Sequence, residues 1–324
     1  MTRTTCIRLL CAIAALLVSP AQGRTSRDGG VQRVTMVVRE LERARSFYCD
    51  LLGFTQVAEL RLSGSPIEDL LALPGVRYRA ATLRIGAERI VLQEPSRPGR
   101  DIARDARSDD GAFQHLALVV SDIDRMHAQL VARGTELISK RGPQTIPASN
   151  RDAGGIRALY FRDPDRHPLE LIWYPPGRGA ARWQRMQGKP VLGIDHTAIA
   201  VRDRARSEAF YRDVAGLVVR GRSFNQGDEQ SALSAVDGAR VHISGLGGPS
   251  GLGVELLEYE TPGRSYPIDT HANDIWASEI ELKVPSLQRA LAAAASYGAR
   301  DIRVGRLGAR LRDPDGHALR LIEH

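Results

Sequence analysis

The chain has only three cysteines in 324 residues, and two of them, Cys6 and Cys11, fall within the first dozen positions. It also lacks long apolar runs, apart from one at its start. Met1 to Gly23 reads as an export signal: Arg3 and Arg8, an apolar core from Leu9 to Val18, then Ala21-Gln22-Gly23. That run is too short to span a bilayer, and Ala21 and Gly23 are the small residues a signal peptidase needs. No lipobox precedes Cys11, so no lipid anchor is expected there. Cleavage leaves Cys49 alone, so the mature chain has no internal disulfide and must rely on its core, although export leads to an oxidising compartment. The expected location is secreted or periplasmic, with no membrane attachment once the signal is removed. Aromatic residues are few, at 5%, and there is no low-complexity tract. The formal net charge is +7, from 45 Lys and Arg against 38 Asp and Glu, and losing Arg3 and Arg8 lowers it to +5. The basic residues are mostly arginine and are scattered. Without clustering or interleaved aromatics they argue against a nucleic-acid groove, and they suit small anionic molecules at most.

What the sequence does have is repetition. Ser46-Phe47-Tyr48-Cys49-Asp50-Leu51-Leu52-Gly53-Phe54 returns as Glu208-Ala209-Phe210-Tyr211-Arg212-Asp213-Val214-Ala215-Gly216-Leu217. Pro98-Gly99-Arg100 returns as Pro262-Gly263-Arg264, Asp105 and Asp110 return as Asp269 and Asp274, and Asp163-Pro164-Asp165 returns as Asp313-Pro314-Asp315. Self-similarity on this scale marks a tandem duplication. The joint is the Pro-, Gly- and Arg-rich stretch 177–190, between a first domain over 30–176 and a second over 191–324.

Each copy divides again. A unit opens on a period-two strand such as Val34–Val38, His115–Val120, His196–Val201 or Glu279–Val284. A helix follows, with Asp122 and Ser286 as N-caps and Gly134 and Gly298 near the ends. Short strands then return through turns at Ile85-Gly86, Asp237-Gly238 and Asp-Pro-Asp. The pattern predicts an α+β fold of four βαβββ units. One unit cannot close a barrel, but two can enclose a cavity.

The phrases His115-Leu116-Ala117-Leu118-Val119-Val120-Ser121-Asp122, Phe-Tyr-x-Asp-Leu-Leu-Gly, and Asp163-Pro164-Asp165 leading to Leu169-Glu170-Leu171 resemble the vicinal-oxygen-chelate superfamily of glyoxalase I, extradiol dioxygenases, epimerases and antibiotic-binding resistance proteins. The resemblance covers the chain from about Gln32 onward. It implies two paired domains with curved, barrel-like mixed sheets, and it specifies the fold better than the reaction.

In metal-binding members each unit can offer a His from its first strand and a carboxylate from its last. The corresponding residues are Arg33 and Val91 in the first unit, His115 and Glu170 in the second, His196 and Glu255 in the third, and Glu279 and Arg320 in the fourth. Only the middle two units keep both. Fused two-domain glyoxalases pair units two with three and one with four. That pairing implies one metal site of His115, Glu170, His196 and Glu255, and a second cavity of Arg33, Val91, Glu279 and Arg320 unable to hold metal in the usual way. A competing arrangement closes each cavity within one half of the chain, grouping His196, Glu255 and Glu279. Cross-pairing alone explains why the losses fall in the two outer units.

The remaining candidates are weaker. His167 and His317 read as turn or surface residues, His127 as a polar helix position and His242 as packing. His271 and Asp274 read as a lid, Asn150 to Gly155 as a cavity-edge loop, and Trp173 and Tyr174 as wall or core. Arg33 and Arg320 could bind an anion, unless Glu279 neutralises them.

The resemblance implies a metal-dependent lyase or isomerase of glyoxalase type acting on a small oxygenated molecule. Its metal (Zn, Ni or Co) would stabilise an enediolate while Glu170 or Glu255 moves a proton. The alternatives are an Fe(II) ring-cleaving dioxygenase, using two His and one carboxylate, or a non-enzymatic pocket that sequesters a small molecule. The expected assembly is a monomer or homodimer.

Overall fold

The structure is a computed structural model and describes residues 30–186 and 188–323. The expected export signal over 1–23 lies outside them. Four units follow one another. The first has β1 (Gly30–Val37), α1 (Leu41–Ser46), β2 (Thr55–Leu62), α2 (Ser65–Leu71), β3 (Tyr78–Ile85) and β4 (Glu88–Pro95). The second has β5 (Gln114–Val120), α3 (Ile123–Ala132), β6 (Gln144–Thr145), β7 (Arg157–Arg162) and β8 (Pro168–Trp173), and α4 (Ala181–Arg185) follows it. The third has β9 (Val191–Ala200), α5 (Arg204–Ala215), β10 (Val218–Asn225), α6 (Gly227–Ser234), β11 (Val241–Gly247) and β12 (Gly253–Tyr259). The fourth has β13 (Glu279–Val284), α7 (Leu287–Ser296), β14 (Arg300–Gly305), β15 (Gly308–Arg312) and β16 (Ala318–Glu323).

This is the βαβββ order four times, with α2, α4 and α6 as short additions the repeats did not announce. The helix starts follow from side chains. Asp122, Asp203 and Ser286 each accept the backbone N–H three residues on, which satisfies an otherwise unpaired donor. Among the described residues no helix is long and apolar enough to cross a membrane.

The strands form two eight-stranded sheets, in the orders β14-β15-β16-β13-β1-β4-β3-β2 and β10-β11-β12-β9-β5-β8-β7-β6. Each sheet joins one unit from each half of the chain: units one and four through the antiparallel pair β1–β13, and units two and three through β5–β9. Period-two alternation then sorts the side chains. Leu116, Leu118 and Val120 of β5 enter the main core with Ile123, Met126 and Leu130 of α3, while His115, Ala117 and Val119 point to the opposite, inner face.

The repeated Pro-Gly-Arg and Asp motifs turn out to be a reciprocal clasp between the two long loops. Arg100 binds Asp274 and Asp269, both at 2.8 Å, and Arg264 binds Asp110 at 2.7 Å and Asp105 at 3.1 Å. Glycine is required at the crossing, because a Cβ on Gly99 would sit 2.5 Å from Asp274 Oδ1 and one on Gly263 would sit 2.7 Å from Asp110 Oδ1. The lid expected at His271 and Asp274 is therefore a tether, with Asp274 buried at 1% exposure.

His167 and His317 are also not surface residues, since both are buried. The Asp-Pro-Asp turns are covered by other units: Tyr48 donates to Asp163 and Tyr211 to Asp313. His317 Nε2 meets the carbonyl of Ala200, and His167 lies between Asp163 (Nδ1, 2.9 Å) and the carbonyl of Ile275 (Nε2, 2.8 Å). Burial opposes charge on His167, but Asp163, with Asp165 behind it, outweighs burial and raises its pKa to about 9. A raised imidazole stabilises the fold fully below its ordinary value and ceases to do so as pH rises through about 9. The difference is on the order of 3 kcal/mol. Urea unfolding of wild type should therefore lose stability between pH 6.5 and 9, and His167→Asn, less stable throughout, should not show that loss.

Candidate metal centre

The centre lies on the inner face of the second sheet, where β5 and β9 run antiparallel. His196 pairs in register with Ala117, and His115 with Ala198, so both imidazoles rise beside small side chains that leave them room. The two carboxylates arrive from the parallel neighbours: Glu170 of β8 sits beside Ala117, and Glu255 of β12 beside Ala198. The twofold register of the sheet thus converts four distant positions into one cluster.

Glu170 Oε2 lies 3.1 Å from His115 Nε2 and 3.4 Å from His196 Nε2, and Glu255 Oε2 lies 3.3 Å from His196 Nε2. The donor atoms of His115, Glu170 and His196 fall within 4.8 Å of one another, and Glu255 stands just outside that set. His115 and His196 are each 2% exposed and Glu170 5%, whereas the Glu255 side chain is 29% exposed. The arrangement spanning both halves of the chain is the one observed.

Electrostatics agree with a cation-binding set. Burial disfavours the Glu170 carboxylate, yet the His115 hydrogen bond and the neighbouring His196 imidazole hold its pKa at about 2. Desolvation by the surrounding protein raises Glu255 although its tip reaches solvent; His196 opposes the shift, and Glu170 and Asp195 add to it. Burial lowers His115. It also opposes charge on His196, but Glu255, Asp195 and Glu170 more than compensate and raise that imidazole well above its usual value. His196 Nε2 is buried between two carboxylates without a properly directed hydrogen bond. A nitrogen in that position, with carboxylates converging on it, is placed to meet a cation, whether a proton or a divalent metal.

Sequence reading did not foresee the shell around His196. Its Nδ1 meets Asp195 at 3.1 Å, and Asp195 also accepts Trp183 Nε1 at 2.6 Å and Tyr174 Oη at 3.0 Å. This fixes which imidazole nitrogen faces the centre. Trp183 comes from α4, so the linker between the halves braces His196 through Asp195. Arg182 of the same helix pairs with buried Glu88 of the other sheet. Tyr160 and Phe113 form the wall beside His115, with ring centroids 4.9 and 5.5 Å away. Asp195 could have been suspected from its place before a candidate ligand, but nothing local marked Trp183.

The equivalent place in the first sheet is filled differently. Val91 stands beside Thr35 as Glu255 does beside Ala198, and Arg320 beside Glu281 as Glu170 does beside Ala117, which supports the residue-by-residue correspondence. Glu279 does not neutralise Arg33 and Arg320; it pairs with Arg310 at 2.8 Å. Glu281, in the position of Ala117, does that work, 2.8 Å from Arg33 and 3.8 Å from Arg320.

Of the remaining candidates, His242 stacks on Phe224 (4.4 Å) and meets Glu260, and Asn150 bonds Asn225 across the loop edge. Trp173 packs against the main core, and His127 is half-buried.

Fold, register and donor set together define a protein of two paired βαβββ domains with one His/Glu centre. The model of the glyoxalase/bleomycin resistance protein/dioxygenase superfamily matches residues 30–171, and that of a glyoxalase-like domain matches residues 196–322. The chain belongs to this superfamily. Glyoxalase I from Zea mays has the same fold, with a TM-score of 0.60 at 17% identity over 90% of this chain and 92% of that one. Two uncharacterised proteins each match 44% of this chain: YaeR of Escherichia coli K12, 28% identical over 93% of its length, and YwkD of Bacillus subtilis 168, 24% identical over 94%.

Proposed function

We propose that this chain is a metal-dependent enzyme of glyoxalase-like type, a lyase or isomerase that moves a proton between adjacent carbons of a small oxygenated molecule. The supporting observation is the convergence of two His and two Glu, one pair from each half of the chain, on a single inner-face point. A divalent metal (Zn, Ni or Co) would be held by His115, Glu170, His196 and Glu255, and would supply Lewis-acid polarisation of two neighbouring substrate oxygens.

The two carboxylates are not equivalent. Glu170 is nearly inaccessible and lies against both imidazoles, whereas Glu255 meets His196 alone and is the more exposed. Glu255 is therefore the group placed to take a proton from a carbon beside a carbonyl and return it to the neighbouring carbon. Tyr160 and Phe113 supply an aromatic wall beside His115.

The test is deuterium uptake from D2O into small α-hydroxycarbonyl compounds, followed by NMR on the metal-loaded full chain. Wild type should accelerate exchange. Glu255→Gln should lower the rate by about 100-fold or more, with protein still folded and metal retained. Exchange unaffected by Glu255→Gln, or none with any α-hydroxycarbonyl offered, would defeat the assignment.

One observation favours a second reading. The compact set is His115, Glu170 and His196, two imidazoles and one carboxylate, which is the Fe(II) donor set of ring-cleaving oxygenases. Iron-dependent oxygen consumption with catechols, in place of proton exchange, would identify that activity.

A further inference from the structure

Away from the metal ligands, a cavity of about 280 Å³ lies beneath the clasp, where the two long loops cross the ends of the sheets. Its walls include Ile102, Ala106, Phe113, Pro267 and Trp276, with Gln114, whose Nε2 donates to Thr197 at 3.2 Å, adding an amide at the edge. The charged groups at its rim are already paired: Arg100 with Asp274 and Asp269, Arg264 with Asp110 and Asp105, Arg107 with Asp109, Asp101 with Arg39, and His167 with Asp163 and the carbonyl of Ile275. Arg162 is spent on Glu136 and on the carbonyls of Arg166 and Ala106. A charged ligand would have to break one of these pairs, at the cost of leaving a partly buried partner uncompensated. A neutral one need not.

We infer that this cavity is a binding site for a small neutral aromatic molecule of one or two rings, distinct from the metal centre. The volume suits that size, and flat walls of Trp276 and Phe113 suit ring faces and edges. Two features bear on how the site behaves. Trp276 is held in place, its Nε1 donating to Thr270 at 3.1 Å and its ring meeting the Arg100 guanidinium at 4.8 Å, so the platform is formed before a ligand arrives. Phe113 is the partition between the two places, lining the cavity while its ring meets the imidazole of His115 edge-on. The site draws on both loops, so it exists only when the clasp is closed. The inference does not depend on the reaction assigned to the metal centre.

Calorimetric titration of the full chain with 1-naphthol tests it. One molecule should bind per chain with Kd below about 1 mM. Ala106→Leu, which fills the cavity, should weaken binding at least tenfold. If that variant does not fold, Ala103→Leu fills the same space from an exposed position in the adjoining turn. His196→Ala, which disrupts the metal centre without removing the imidazole that Phe113 packs on, should leave binding within about threefold. No saturable binding up to about 1 mM would overturn the assignment. So would unchanged affinity in a folded cavity-filling variant, or loss of binding in folded His196→Ala, which would place the naphthol at the metal centre instead.

Discussion

Replacing His196 with alanine is expected to lower the affinity for Zn, Ni or Co by at least about 100-fold, because one of few donors is lost and two carboxylates are left facing each other. The variant Asp195→Asn should give a smaller loss, about 10- to 100-fold. It keeps the imidazole but loses the charge that orients its Nδ1. Trp183→Phe should fall between wild type and Asp195→Asn, because Trp183 donates to Asp195 at 2.6 Å without touching the ligand itself. His127→Ala, on the half-buried side of α3, should bind metal as wild type does. Competition with a chromophoric chelator measures all four. If the ranking were lost, with Asp195→Asn as damaging as His196→Ala or without effect, the orienting role of Asp195 would fall.

Glu281→Ala is expected to destabilise the protein by about 3 kcal/mol while leaving the metal centre intact. Glu281 is 5% exposed and sits between Arg33 and Arg320, and its removal leaves two cations facing each other on an inner face with Arg310 and Glu279 close by. The guanidiniums keep some contact with water, so the loss falls at the lower end of the range for breaking a buried pair. Substituting both arginines as well, Arg33→Met and Arg320→Met, should recover most of the stability, since removing all the charges also removes the uncompensated ones. Chemical denaturation of the single and triple variants measures this. A single variant within about 0.5 kcal/mol of wild type would mean that the cluster contributes little.

These two clusters show what could be read in advance and what could not. The convergence of His115, Glu170, His196 and Glu255 was legible because the chain repeats. Once Tyr48 is aligned with Tyr211 and Asp163 with Asp313, the first and last strands of each unit fall into correspondence, and β-sheet register carries that correspondence into space. Glu281 was missed for the same reason that Glu279 was noticed. Comparison among units looks only at ligand positions, and Glu281 occupies the place where the equivalent strand has Ala117. The burial of His167 was hidden because an Asp-Pro-Asp turn has the composition of a solvent-exposed loop. It is buried only because Tyr48 and the loop at Ile275, 108 residues further on, close over it. Likewise the paired aspartates of the long loops were visible as a repeat, but their arginine partners lie more than 150 residues away. Local pattern reveals elements and equivalences, and contacts between units decide what each polar residue does there.

The most direct test of a single centre shared by both halves of the chain is elemental analysis of purified protein after loading with Zn, Ni, Co or Fe(II) and removal of free ion. The expected content is close to one ion per chain in wild type and close to none in either His115→Ala or His196→Ala, one ligand being drawn from each half. No ion in wild type, two ions per chain, or one ion that survives either substitution would contradict it.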